Sequence, residues 1–483
     1  MVVYTDLWYQ TEARELAKDR EYFGYFMDRG TAKTRPLLQD AVYNFQKGRI
    51  EALLVLCPNS VKTSWVAWPH MLEEGDDPDQ VDKHIPDARA IKGVWTSAMT
   101  GENKKAWAAF EKTINAKPSR LIVLSVNYEA LLGDHVMGFL KDFCKQFRVM
   151  ICADESTRIG VAKSKRTKRA ITLARLCPIR RILTGTPVKK SPMKIYTQAV
   201  FLDKQALPFN SQYAFRNRYC IMGGFKNKKI LDYQNMDELS DLIAAFSFRK
   251  QRLPSEGPPK VYIPRRVDMT TEQAKAYKEM REEFMTNVKG EDITATIVLT
   301  QILRLQQICG GYLNKDGKII EIIPPSRNPK VQETLELLED LPKCVVWFRF
   351  REELAALGSE LTRLKIPFFE FHGGLSDKEK VQVRKAFYRG ERPYVLATTQ
   401  TGGIGIDEFK VSGAAIFFSR DFDTEQQEQA EGRTDRVGSQ IHDSLAYYDV
   451  YVPNSIETKI HRVLRGDAKL SARLLKDQLL AWI

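Results

Sequence analysis

Short runs of apolar residues alternate along this chain with longer stretches of helical character. EALLVLC at 51–57, RLIVLSV at 120–126, FRVMICADE at 147–155 and IRRILTGTP at 179–187 each have strand length and end in turn or polar residues. Runs that are apolar at nearly every position, not at alternate ones, belong to strands covered on both faces, as in a parallel sheet. A second set follows: KCVVWF (343–348), IPFFEFHG (366–373), RPYVLATT (392–399), AAIFFS (414–419) and LAYYDVYV (445–452). Between the sets lies FRKQRLPSEGPPK (248–260), rich in proline and charge, then helical TEQAKAYKEMREEFM and TATIVLTQILRLQQI. That shift of composition marks a boundary. The pattern predicts an α/β chain with two doubly wound parallel-sheet domains in tandem. Residues 1–248 are expected to form the first, 249–325 a linker with a helical insertion, and 326–483 the second.

Length agrees with this division, because 483 residues exceed what one hydrophobic core usually holds. Charge adds a partner class. A net charge of +13, from 74 basic and 61 acidic residues, favours a polyanion over an acidic metabolite. The seven cysteines are scattered, form no C-x-x-C pair and mostly lie in apolar runs, as expected of reduced core thiols. The six histidines make no H-x-x-x-H or Cys/His cluster, so no zinc site is expected. No apolar run has the length of a membrane span, and MVVYTDLWYQTEAREL is too acidic for a signal peptide. A soluble, cytoplasmic, monomeric protein is expected.

In doubly wound sheets, chemistry sits at the carboxyl ends of the strands. Residues 27–34 read MDRGTAKT: Lys33 and Thr34 follow a turn through Gly30 and Thr31 and precede the helical RPLLQDAVYNF, the order needed to hold a triphosphate. Ala32 stands where a phosphate loop usually has glycine, which is tolerable at negative φ and costly in the left-handed region. At the end of 147–155 stand Asp154 and Glu155, suited to holding magnesium and to activating a water. LTGTP (183–187) follows the next strand, and TTQTGGIGID (398–407) offers glycines for close backbone approach to a phosphate or sugar. QAEGRTDR (429–436) sets Arg433 and Arg436 three apart, on one face of an expected helix. Either arginine pair or solvated face would satisfy that spacing.

The order of these pieces is more specific than any one of them. MDRGTAKT, LCPNSVKTSW, ADESTRIG, LTGTP, FHGGLS, TTQTGGIGID and QAEGRTDRVG resemble motifs I, Ia, II, III, IV to V and VI of the superfamily 2 helicases. CPNSVKTSW, DEST-R-I, LQQICGGYL and QAEGRTDRVG resemble the Swi/Snf helicase-like translocases within it, over nearly the whole chain. The resemblance implies an ATP- and Mg2+-dependent motor with two RecA-like cores and the nucleotide between them. Lys33 would bind phosphate, Thr34 and Asp154 the metal, and Glu155 would act on water. Gln10 resembles the glutamine that reads adenine. Gly405, Asp407, Gln429, Arg433 and Arg436 would complete the site, Arg436 as the arginine finger. Ser60, Thr63, Thr184, His372, Gly373, Thr398 and Thr399 resemble the positions that contact the nucleic-acid backbone. The basic run KSKRTKR (163–169) is either a further charge patch or a solvated helix start.

Ala32, the pair Asp28-Arg29 and the extra Ser439 depart from the pattern. All the charged participants are retained, which favours an active enzyme. No wedge hairpin or accessory module is recognisable, which favours a stand-alone prokaryotic or viral motor tracking along DNA, duplex or branched, with RNA not excluded. The alternatives are a strand-separating helicase and a non-hydrolysing nucleic-acid binding protein.

Overall fold

The computed structural model describes residues 7–28, 30–61, 65, 91–95, 112, 121–185, 187–188, 191–224, 229–253, 256–287, 295–315, 317–402, 406, 408–436 and 438–464. The chain divides into two units, Met1–Leu253 and Pro254–Ile483.

The described residues of the first unit include nine strands: β1 (Tyr22–Met27), β2 (Ala52–Cys57), β3 (Ile91–Trp95), β4 (Ile122–Asn127), β5 (Val149–Asp154), β6 (Ile179–Leu183), β7 (Cys220–Gly223), β8 (Lys229–Tyr233) and β9 (Ser247–Lys250). Seven of them form one sheet in the order β3-β4-β2-β5-β6-β1-β9, and every pairing in it is parallel. β2, β4 and β5 are buried at every position, as continuous apolar runs require of a sheet covered on both faces. Ala52, Leu54 and Leu56 of β2 pack in one cluster with Ile122, Leu124, Val149 and Ile151, on a core closed by the helices Asp134–Gln146, Lys165–Ala174 and Met193–Leu202. Ser164 starts the second of these helices, its hydroxyl accepting from Thr167 N at 3.1 Å. The remaining strands, β7 and β8, form a separate antiparallel hairpin.

The second unit contains β10 (Lys260–Arg266), an antiparallel hairpin of β11 (Tyr312–Lys315) and β12 (Lys318–Glu321), and β13 (Cys344–Phe348), β14 (Phe368–Phe371), β15 (Tyr394–Thr398), β16 (Ala414–Phe417) and β17 (Leu445–Tyr451). Its main sheet runs β10-β17-β16-β13-β15-β14, again parallel throughout. Val346, Phe348, Leu396 and Ile416 point to one face, and Val345, Trp347, Val395 and Phe417 to the other, so each face has its own core. The expected tandem of parallel α/β sheets is thus the architecture found.

The expected division at 248 shifts in two places. β9 belongs to the first sheet, paired with β1 through Lys250. β10, inside the stretch expected to be linker, is an edge strand of the second sheet, paired with β17. The cysteines are all buried and unbridged. Among the described residues no helix is long and apolar enough to cross a membrane.

Candidate active site

The phosphate-loop sequence leaves β1, which lies between β6 and the edge strand β9, and enters the helix Thr34–Gln46. Gly30 has φ +77°, Ala32 +53° and Lys33 −56°. Alternating hand along a short segment turns successive N–H groups toward one concave side, which is how backbone binds anions. No side chain caps the helix that follows, although Arg35 N already donates to the Ala32 carbonyl at 3.1 Å and Pro36 has no N–H. Thr31 is buried, and its hydroxyl donates to the Asp28 carbonyl at 2.7 Å. The Gln10 amide nitrogen donates to the carbonyls of Thr31 (3.3 Å) and Ala32 (3.4 Å), while its oxygen accepts from Leu7 N at 3.0 Å. Gln10 therefore holds the loop from behind. The methyl of Ala32 is exposed, yet its backbone sits in the left-handed region, the costly case for an alanine.

Opposite the loop, Asp154 closes β5 and Glu155 follows in a left-handed conformation at φ +48°. Lys33 Nζ lies 2.7 Å from Glu155 Oε1, so the fold brings together two residues 122 apart in sequence. Asp154 is buried. Its Oδ2 accepts from Trp65 Nε1 at 3.3 Å, its Oδ1 from Glu155 N at 2.9 Å, and its carbonyl from the Tyr128 hydroxyl at 2.7 Å. Burial pushes the Asp154 carboxyl up to about 6, with Lys33 pulling it down and Glu155 pushing it further up. A buried carboxylate beside a second carboxylate and a threonine at the helix start form a donor set of oxygens. It fits a hard divalent cation shared with phosphate oxygens. Trp65, Tyr128 and Gln198 had no expected role. Gln198 accepts from Ser156 Oγ at 2.6 Å and donates to the Pro187 carbonyl at 3.1 Å, joining the DEST segment to the LTGTP turn.

Thr184, at the end of β6, is fully buried, with its N–H on the Tyr25 carbonyl at 3.2 Å. The run 163–169 is a helix start: Arg166 pairs with Glu129, and Arg169 with Asp134 and the Leu131 carbonyl. Ser60 lies in the turn Asn59–Val61. Thr63 and the side chain of Ser60 lie outside the described residues.

In the second unit the arginines are not on one helix face. The helix Thr424–Thr434 ends before Arg436, because the chain turns there toward Gly438 at φ +96°. Arg433 is buried, with Nε on the Gln429 carbonyl at 3.0 Å and a terminal nitrogen on the Ile406 carbonyl at 3.3 Å. Arg436 is half-buried, with Nε on the Gly432 carbonyl at 2.9 Å. Thr398 and Thr399 are buried at the end of β15. His372 is buried as well, Nε2 3.2 Å from Glu370 Oε2 and Nδ1 accepting from Gly374 N, while Gly373 is exposed. Gly405 and Asp407 lie outside the described residues.

Residues 26–311 match the SNF2-related domain, and residues 329–438 match the helicase conserved C-terminal domain. The chain is similar to YwqA of Bacillus subtilis (strain 168), named as an ATP-dependent helicase/translocase, at 24% identity over 68% of this chain and 36% of that one. It is 28% identical to the DNA repair protein RAD5 of Yarrowia lipolytica, over 33% of this chain and 16% of that one. It thus spans about a third or less of the length of these relatives. Among solved structures, the Sulfolobus solfataricus SWI2/SNF2 ATPase core in complex with dsDNA aligns with 99% of this chain and 95% of that one, at 19% identity and a TM-score of 0.40.

Proposed function

This chain belongs to the SNF2-related family of helicase-like ATPases, and from that premise we propose that it is an ATP-driven motor that tracks along double-stranded DNA. It remodels branched DNA or protein–DNA complexes without parting the strands. The observation that carries the hydrolytic part of this reading is the Lys33–Glu155 contact at 2.7 Å, which sets a cation for the terminal phosphates beside a carboxylate able to orient water. Thr34 and Asp154 would hold Mg2+, which would neutralise charge on the phosphates. Gly30 and Ala32 offer backbone N–H groups, and Gln10 keeps the loop in place through the Thr31 and Ala32 carbonyls. Gly405, Asp407, Gln429 and Arg433 support the second unit's part, and Arg436 acts on transition-state charge.

Ser60, Thr63, Thr184, His372, Gly373, Thr398 and Thr399 are the proposed polymer contacts. Thr184, Thr398 and Thr399 are buried, and the Thr184 N–H is already taken by the Tyr25 carbonyl, so a contact at Thr184 needs that strand end to shift. The charge of +13 supports a grip dominated by phosphates, sensitive to salt and indifferent to sequence.

The test is hydrolysis measured in parallel without polymer, with single-stranded, double-stranded and branched DNA, and with RNA, together with displacement of a third strand from a triplex beside unwinding of a fork. Duplex stimulation with triplex displacement is expected. Fork unwinding without triplex displacement, or stimulation by RNA alone, would replace the duplex motor with a strand-separating helicase.

A further inference from the structure

The hairpin β7–β8 stands apart from the strand-end chemistry. It follows the helix Gln212–Tyr219, and the segment from Gln212 to Leu231 contains Arg216, Arg218, Lys226, Lys228 and Lys229 with no acidic residue before Asp232. Lys226 and Lys228 lie outside the described residues. Arg218 is neutralised by Glu238. Arg216 is not: among the described residues it has no carboxylate partner, its Nε is buried without a hydrogen bond, and its guanidinium lies 4.9 Å from the ring centroid of Tyr213. That ring is itself 64% exposed. On the hairpin, Leu231 is 62% exposed, and Ile221 and Lys229 are exposed too. Leu231 covers Gly223 across the hairpin, where a Cβ would stand 2.4 Å from its Cδ1, so the ribbon is held tightly against itself.

A helix with an exposed tyrosine on an arginine, leading into a hairpin with exposed aliphatic side chains and a lysine, matches one kind of partner better than others. Duplex DNA offers phosphates but hides its base faces, whereas an unpaired strand offers both. A stacked Tyr–Arg pair is the kind of platform on which a base can lie. We propose that Tyr213, Arg216, Ile221, Lys229 and Leu231 form a binding surface for the unpaired arm of branched DNA. This rests on the nucleic-acid motor proposed above and adds substrate choice to it: the hairpin makes the motor prefer a branch to a plain duplex.

The test compares Tyr213→Ala, Lys229→Ala and Leu231→Ser, all changes at exposed positions, with the unaltered protein. Stimulation of hydrolysis is titrated with a blunt duplex and with the same duplex bearing single-stranded arms, and DNA-free hydrolysis and thermal midpoint report folding. Each variant is expected to raise the half-saturating concentration of armed DNA by roughly tenfold, as for loss of one stacked base, and to leave the blunt duplex within twofold. Equal weakening on both substrates, or no change on either, would overturn the arm contact while leaving the duplex motor intact. If the unaltered protein is stimulated by neither DNA, the motor itself fails, and the arm contact with it.

Discussion

Ala32 carries the sharpest single-residue consequence. Its φ of +53° puts a Cβ in a region that costs an L-residue roughly 1–2 kcal/mol, against a smaller gain from stiffening the unfolded chain. Ala32→Gly is therefore expected to stabilise the protein by about 0.5–1 kcal/mol, visible in a denaturant titration, with turnover unchanged within twofold. A large rise in turnover would instead identify the natural loop as crippled. In the second unit, Glu353 is fully buried, one carboxylate oxygen accepting from Phe350 N and Ser419 Oγ and the other without a partner. Burial pushes this carboxyl up to about 7. An acid raised in the fold binds its proton more tightly there than when unfolded. Its stabilising contribution is thus complete below the unfolded value near 4.5 and is lost as pH rises through about 7. Glu353→Gln should raise the thermal midpoint at pH 8, with the advantage vanishing toward pH 4. Equal effects at both pH values would mean that the gain is packing and not charge.

Elements are tied together by Arg181 of β6 and Asp40 of the helix Thr34–Gln46, both fully buried, with Nε 2.7 Å from Oδ2. Tyr25 of β1 donates to Asp40 Oδ2 at 3.0 Å, and the guanidinium also donates to the carbonyls of Ala17, Arg20, Glu21 and Arg180. Arg181→Met would strand Asp40 as a buried charge, at a cost of about 3–5 kcal/mol. The pair Arg181→Met with Asp40→Leu should cost clearly less than the two single changes summed, and simple additivity in chemical denaturation would refute the coupling. The same scale shows where sequence stops being informative. β2 and β13 were legible because every position is apolar. β1 was not, although it carries the phosphate loop: YFGYFM is interrupted by Gly24, where a Cβ would come within 3.2 Å of Ser247 on β9. β9 has four residues, and β10 is charged and contains Pro264, as an edge strand tolerates. In the site, the lysine and carboxylates were legible by order, while Trp65, Tyr128 and Gln198 were not. Each is a lone residue whose role depends on a partner distant in sequence. Nor could spacing fix the backbone hand of Ala32 or the early end of the helix before Arg436.

For the whole molecule, the two motif VI arginines should separate by phenotype. Arg433 is buried and holds carbonyls at Gln429 and Ile406, so Arg433→Ala is expected to lower the thermal midpoint as well as activity. Arg436→Ala should lower kcat by roughly 10³ or more with the midpoint and nucleotide affinity little changed, as expected of a cation acting on transition-state charge. Unchanged kcat would remove the finger from residue 436. The parallel topology also has a consequence for the order in which the protein is made. β1 is flanked only by β6 and β9, so the strand that carries the phosphate loop has no sheet partner until Ile179 has been synthesised and lacks its second until Ser247. At ~5–20 residues per second, a growing chain waits on the order of ten seconds or more before β1 can be enclosed. The phosphate loop thus leaves the ribosome well before the strands that seat it.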